Sequence, residues 1–348
     1  MDAVFASPRI LIVRLSAIGD VIHGMPVLNA LRDHWPGAML AWLAEGRCGD
    51  LLEGHPALDE LIRVPRKWLK SPREVWRLRR RLRAYHFDIT IDLQGLTKSA
   101  IAASLSGARR RIGYGGADGR ELSRLLNNYL VDPTATHVVD RNLELLKPLG
   151  IVRPRPRFLV PLDTEAQKTA RAFLNDSGLS KPFALINPGA GWPSKLWPTE
   201  RFAEVARFLG KKRNLPSVVV WAGNEELHMA EQIVAQSGGC ARLAPRTSLV
   251  ELAALAHDAR LFLGSDTGPM HLAAALETPT VALFGPMPHE RNGPYGDGHI
   301  AIQKACLAGG SRQRRNANND TMLAIEVDDV CAVCDRLLNG SNGVTNAA

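Results

Sequence analysis

Strand-sized apolar runs alternate with helix-length amphipathic stretches along the whole chain, and no other feature of the sequence narrows its fold as much. Residues 9–14 predict a strand, a Ser/Gly turn follows, and residues 18–34 predict a helix. Further strands are expected at 40–44 and 89–92, with helices at 96–105 and 137–149. After residue 161 the pattern restarts. Helices are expected at 165–176, 198–212, 225–237, 248–259 and 269–276, and strands at 183–186, 217–221, 261–264 and 280–284. Strands that alternate with helices form parallel sheets covered on both faces.

Between the two series lies Val152-Arg153-Pro154-Arg155-Pro156-Arg157, a run that ends near Pro161. Its prolines forbid regular structure and suit a linker. At 348 residues the chain exceeds what one core usually serves. We therefore expect two Rossmann-like parallel-sheet domains facing across a cleft, at 1–160 and 161–325, followed by a C-terminal helix and tail at 326–348. Residues 308–320, rich in Gly, Arg and Asn, read as a flexible loop.

Composition excludes several classes. With 45% hydrophobic and 22% charged residues, both halves can bury a core. No apolar run approaches the roughly 20 residues of a membrane-spanning helix. Residues 1–7 lack the basic start of a secretory signal, so a cytoplasmic protein is expected. Of five cysteines only Cys331 and Cys334 form a C-x-x-C pair, and it falls on an amphipathic helical pattern with no second pair or histidine to complete a zinc site. Small buried side chains are the reading there. The net charge of +8 is concentrated: Arg77, Arg79, Arg80, Arg81 and Arg83 share one helical stretch, on which Val75, Leu78, Leu82 and Tyr85 recur at three- and four-residue spacing. Such a helix packs one face, and its arginines either meet solvent or attract a polyanion such as an anionic membrane, a phosphorylated glycolipid or nucleic acid.

In open α/β sheets, ligands bind beyond the carboxyl ends of strands, so the strand-to-helix turns carry the chemistry. In Leu15-Ser16-Ala17-Ile18-Gly19-Asp20, Asp20 fits two roles: an acid offsetting the helix dipole, or a carboxylate that accepts a proton. The turn is not a dinucleotide-binding G-x-G-x-x-G. In Asn187-Pro188-Gly189-Ala190-Gly191-Trp192-Pro193-Ser194-Lys195, exposed amides and a lysine suit a diphosphate, and a plain Pro/Gly turn with a solvated lysine fits as well. Ser265-Asp266-Thr267-Gly268-Pro269-Met270-His271 joins a buried strand to a helix N-terminus, an anion-friendly arrangement. Alone, His271 reads as a structural histidine. Glu225 and Glu226 follow Gly223 and suit either ribose hydroxyls or a helix start. No Asp-x-Asp, H-E-x-x-H or G-x-S-x-G is present.

Taken together, these motifs resemble the ADP-heptose:lipopolysaccharide heptosyltransferases, which have the GT-B fold. The resemblance runs from Ile10 to about Gly296. It rests on Ser16–His23, on Asp92-Leu93-Gln94-Gly95-Leu96-Thr97-Lys98-Ser99, on Asn187–Ala190 with Lys195-Leu196-Trp197-Pro198, on Asp266–His271, and on Phe284-Gly285-Pro286. It is nearest to the heptosyltransferase I branch, through Asp92–Ser99 and the run Arg66-Lys67-Trp68-Leu69-Lys70. The resemblance implies an inverting enzyme with no metal or other cofactor, which moves heptose from ADP-heptose to a Kdo-containing lipid A acceptor at the inner face of the cytoplasmic membrane.

Under it Asp20 is the base and Lys195 neutralises the departing diphosphate. Asn187, Gly189, Ala190, Lys195, Asp266, Thr267, Gly268 and His271 hold the donor, and Glu225 or Glu226 the ribose. Arg66, Lys67, Lys70 and Arg120 meet the acidic acceptor sugars. Ala190 and Gly191 stand where some relatives carry a hydroxyl residue, which implies a backbone-only phosphate contact. Another nucleotide sugar or a later core acceptor is the alternative within the family. A nucleic-acid-binding protein using the arginine helix is the alternative outside it, although those arginines lack interleaved aromatics and no nucleic acid is expected as partner.

Overall fold

The computed structural model describes residues 6–120, 122–179 and 182–340. Residues 1–5 of the N-terminal stretch and 341–348 of the expected tail lie outside the described residues. The chain divides into two compact units, Met1–Pro161 and Leu162–Ala348.

The first unit holds strands β1 (Arg9–Val13), β2 (Met39–Glu45), β3 (Glu60–Val64), β4 (Ile89–Asp92), β5 (Arg110–Tyr114) and β6 (Tyr129–Val131), and helices α1 (Ile18–His34), α2 (Pro72–Ala84), α3 (Thr97–Ser106), α4 (Ser123–Leu126) and α5 (Val138–Glu144). Its sheet is parallel throughout, in the order β3-β2-β1-β4-β5-β6. Ile10 to Val13 are fully buried, as a central strand covered on both faces requires. Ser71 caps α2 by accepting from the Glu74 amide at 3.4 Å, with Pro72 at the first helical position. Leu78 and Leu82 of α2 enter the core beside Leu11, Val13, Leu43 and Trp68, while Val75 and Tyr85 pack partly against it.

The second unit holds β7 (Ala184–Asn187), β8 (Ser217–Val219), β9 (Ala241–Leu243), β10 (Leu261–Ser265), β11 (Thr280–Phe284) and β12 (His299–Gln303). Its helices are α6 (Thr164–Asp176), α7 (Thr199–Arg213), α8 (Gly223–Gln236), α9 (Leu249–Asp258), α10 (Gly268–Ala275), α11 (His289–Asn292), α12 (Ser311–Asn316), α13 (Asp320–Leu323) and α14 (Val327–Gly340). The sheet order, β12-β11-β10-β7-β8-β9, repeats the winding of the first unit, again all parallel. Each unit is thus a doubly wound Rossmann-like sheet. In each, chain direction across the sheet reverses beside its first strand, between β1 and β4 and between β7 and β10. That reversal opens a crevice beyond the carboxyl ends of those strands.

Two sequence readings change. Residues 137–149 are not one helix: α5 ends at Glu144 and a separate 3-10 turn covers Lys147–Leu149, because Pro148 has no amide to donate. The proline-rich stretch 152–161 has no regular structure and ends at the boundary between the units, as a linker does, and it is fastened to α1 through Asn29 Nδ2 donating to the Arg157 carbonyl at 2.7 Å and an Arg157–Asp33 ion pair at 2.5 Å. Residues 308–320 contain a helix, α12. The C-x-x-C cysteines do pack: Cys331 and Cys334 are buried in the second core, and burial pushes the Cys331 thiol up to about 11. Among the described residues, no helix is long and apolar enough to cross a membrane.

Candidate functional site

In the second unit, three neighbouring strand ends converge chemically. The turn after β7 carries Asn187, Gly189 and Lys195, the turn after β10 carries Asp266 and Thr267, and the turn after β8 leads into α8 with Glu226. Lys195 Nζ pairs with Asp266 Oδ2 at 2.5 Å, and His271 Nε2 lies 3.3 Å from Asp266 Oδ1. Both carboxylate oxygens are therefore engaged inside the protein, where the Lys195 side chain is 13% exposed and Asp266 only 7%. Burial alone would raise the Asp266 carboxyl, but the hydrogen bond from His271 and the charge of Lys195 outweigh it and hold the group below its ordinary value.

Asn187 Nδ2 donates to Thr267 Oγ1 at 3.4 Å and to the Gly189 carbonyl at 3.2 Å, tying the β7 and β10 turns together. Thr267 stands at the N-cap of α10 but spends its hydroxyl on the Ser265 carbonyl at 3.1 Å, so no side chain caps that helix. The first amides of α10, starting at Gly268, are left for an anion. Gly189 faces Glu226 so closely that a Cβ there would overlap the carboxyl. Glu226 Oε2 accepts from the Ala222 amide at 2.8 Å, and burial pushes its carboxyl up. Glu225 is exposed, and Ala190 is half-buried.

In the first unit, Asp20 sits in the first turn of α1, after a turn whose Ser16–Ala17 peptide is cis. Its Oδ2 accepts from the Ala17 amide at 3.1 Å, and its Oδ1 pairs with an Arg14 guanidinium nitrogen at 2.5 Å. Asp20 is 41% exposed, whereas the Arg14 side chain is 9% exposed and also donates to the Leu93 carbonyl. One face of a carboxylate is thus oriented from beneath while the other meets solvent, leaving lone pairs for a further donor. Sequence reasoning passed over Arg14; its only visible signal was a charge ending an apolar strand six residues before an acid.

The stretch Asp92–Ser99 organises the basic residues. Asp92 is fully buried and accepts from the Gln94 and Gly95 amides at 3.0 and 3.2 Å and from Asn127 Nδ2 at 3.1 Å, while burial pushes its carboxyl up. Gly95 has φ +66°, and a Cβ would lie 2.7 Å from the Asp118 carbonyl oxygen, so only glycine fits the turn. Its carbonyl accepts the Arg120 amide at 3.0 Å. Lys98 pairs with the buried Glu45 and donates to the Arg66 carbonyl at 3.1 Å. One motif therefore holds both the Arg66 run and Arg120, and the side chains of Arg66, Lys67, Lys70 and Arg120 are exposed. Among the described residues, no group of three His, Cys, Asp or Glu side chains converges as a metal cluster.

Residues 75–320 match the model of glycosyltransferase family 9 (heptosyltransferase). The chain is 30% identical over 306 residues to the lipopolysaccharide heptosyltransferase 1 of Pseudomonas aeruginosa, covering 84% of this chain and 83% of that one. Its fold is similar to the glycosyl transferase family 9 protein of Veillonella parvula, with a TM-score of 0.86 and 24% identity over 97% of this chain and 100% of the other. It is also similar to E. coli heptosyltransferase WaaC solved with ADP-2-deoxy-2-fluoro heptose, with a TM-score of 0.75 and 24% identity over 94% and 99% of the two chains. With two Rossmann-like sheets and this match along most of its length, the chain belongs to glycosyltransferase family 9, the heptosyltransferase family, and is a glycosyltransferase of the GT-B fold.

Proposed function

We propose that this enzyme moves heptose from ADP-heptose to a Kdo-containing lipid A or inner-core lipopolysaccharide acceptor, with inversion and without a metal ion. The observation that carries the reading is the Lys195–Asp266–His271 cluster beside the uncapped start of α10, in a chain of the heptosyltransferase family. The lysine and the helix amides supply the positive field that a diphosphate needs. Asn187, Gly189, Ala190, Thr267 and Gly268 line the diphosphate and sugar, with backbone contacts alone at Ala190. Glu226 takes the ribose hydroxyls in preference to Glu225, because Glu226 packs against Gly189 while Glu225 is exposed.

In the transfer step, an acceptor hydroxyl oxygen attacks the anomeric carbon of the heptose as Asp20 takes its proton. The bond from that carbon to the phosphate oxygen breaks, and ADP leaves with the electron pair, its charge met by Lys195. Arg14 acts through Asp20 as a positioning residue. Arg66, Lys67, Lys70 and Arg120 meet the acidic acceptor sugars. The α2 arginines rest the enzyme on the anionic cytoplasmic face of the membrane. On α2, Trp76 is 59% exposed with the Arg80 guanidinium 5.6 Å from its ring centroid, an amphipathic pairing that suits a lipid headgroup layer.

Purified enzyme given ADP-heptose and a Kdo-bearing lipid A precursor in excess EDTA is expected to release ADP and add one heptose to the lipid, read by mass spectrometry. No ADP release, together with turnover of another nucleotide sugar, overturns the donor. An absolute need for a divalent cation overturns metal independence, and a product of retained anomeric configuration by NMR overturns inversion. In a second test, Gly189→Ala is expected to push the Glu226 carboxyl aside, weakening ADP binding several-fold while costing about 1–3 kcal/mol of stability from overpacking. Unchanged nucleotide affinity in calorimetric titration removes Glu226 from the site.

A further inference from the structure

The stretch 308–320 packs against the lysine turn of the donor site. Within it, the Gly310 amide donates to Gln313 Oε1 at 3.0 Å and Arg314 Nε donates to the Leu307 carbonyl at 2.9 Å. From its far end Asn319 Nδ2 donates to the Leu196 carbonyl at 3.1 Å, next to Lys195. These bonds fix α12 so that the Arg315 guanidinium carbon lies 5.0 Å from the Trp192 ring centroid. Lys195 Nζ lies 4.5 Å from the same centroid. Two cations thus share one indole ring at the edge of the anion-binding turn.

Their circumstances differ. Lys195 is largely buried and its charge is met by Asp266. Arg315 is exposed, and among the described residues no carboxylate pairs with it; its recorded contact is the ring. Beside the paired Lys195 and Asp266, the Arg315 guanidinium is therefore a cation with no carboxylate of its own. Two cations gathered at one ring repel, and an anion that reaches both removes that cost. The guanidinium also offers a planar fork of donors matched to phosphate oxygens, which an ammonium lacks. A weak exposed contact with the ring holds Arg315 in waiting, and the stronger charge-assisted bond draws it off.

We propose that Arg315 is a second cation of the donor site, which swings from the Trp192 ring onto the diphosphate opposite Lys195. The inference rests on the reading of this turn as a diphosphate site and adds a residue to it from a segment far along the chain. It gives Arg315 a ligand class, the nucleoside diphosphates.

The test is calorimetric titration of wild type, Arg315→Ala, Arg315→Lys and Arg315→Glu with ADP and with adenosine, at low and high salt. Arg315→Ala is expected to bind ADP about 10–100-fold more weakly, the loss of a hydrogen bond to a charged group. Arg315→Lys should recover part of this, Arg315→Glu should lose more, and adenosine binding should be unchanged in all. The gap between wild type and Arg315→Ala should narrow as salt rises. ADP affinity equal to wild type in Arg315→Ala overturns the proposal. So does an equal loss for adenosine, which would mark Arg315 as structural. If wild type prefers UDP to ADP, the donor assignment fails, and the same comparison with UDP and uridine still decides the role of Arg315.

Discussion

Asp20→Asn is expected to lower the rate of heptose transfer by about 10²–10⁴-fold, the usual contribution of a positioned general base. The asparagine keeps one oxygen, enough for the Arg14 guanidinium or the Ala17 amide but not both, so the turn before α1 keeps one of its two anchors and the thermal midpoint should fall moderately. ADP affinity should stay near that of wild type, because Asp20 belongs to the unit that does not carry the Lys195 cluster. Single-turnover kinetics with bound donor separates the outcomes. A variant that transfers at the wild-type rate ends the assignment of Asp20 as base, and one that loses ADP binding instead makes Asp20 part of the donor site.

Lys195→Ala should do two things at once. The departing diphosphate loses its main cation, for which a fall of about 10²–10³-fold in kcat is expected. The Asp266 carboxylate, 7% exposed, is left with His271 alone beside it, and breaking a buried pair costs about 3–5 kcal/mol. Part of the second loss is repaired by removing the orphaned charge. The double variant Lys195→Met with Asp266→Asn should regain thermal stability without regaining activity. Recovery of both would mean that the pair only holds the turn together. A single Lys195→Ala variant with wild-type kcat would remove the lysine from the chemistry altogether.

The architecture was legible in the sequence wherever a strand is buried on both faces. Residues 10–13 and 261–264 read as continuous apolar runs because helices cover both sides of their sheets. The outer strands escaped notice for the opposite reason. β5 opens on the half-buried Arg110 and Arg111 and buries only its last three residues, and β6 carries the exposed Tyr129 and Leu130, so neither presents a long apolar run. β9 is three residues long, and a stretch that short has no period.

The candidate site was legible as separate turns, since Gly, Pro, Lys and Asp at strand ends announce themselves locally. Its connections were not. The Lys195–Asp266 pair joins residues 71 apart, Arg14 reaches Asp20 only because β1 ends beneath the start of α1, and Arg315 meets Trp192 only after α12 has formed. Spacing cannot encode such contacts, because they depend on strand order, which the sequence pattern leaves open.

The last helix, α14, supplies Val330, Cys331 and Cys334 to the second core, just after Met322 and Ile325. The Ile325 carbonyl accepts from both Trp197 Nε1, at 3.0 Å, and Arg201, within the segment that follows Lys195. On the ribosome, where folding proceeds from the N-terminus, the half bearing Asp20 can therefore close its own core while the other half is still being made. The lysine turn waits for residues synthesised more than a hundred positions later. With the roles proposed for Asp20 and Lys195, a nascent chain acquires its proton acceptor early and its grip on the leaving group almost last, so chains that stop short of α14 are expected to be inactive.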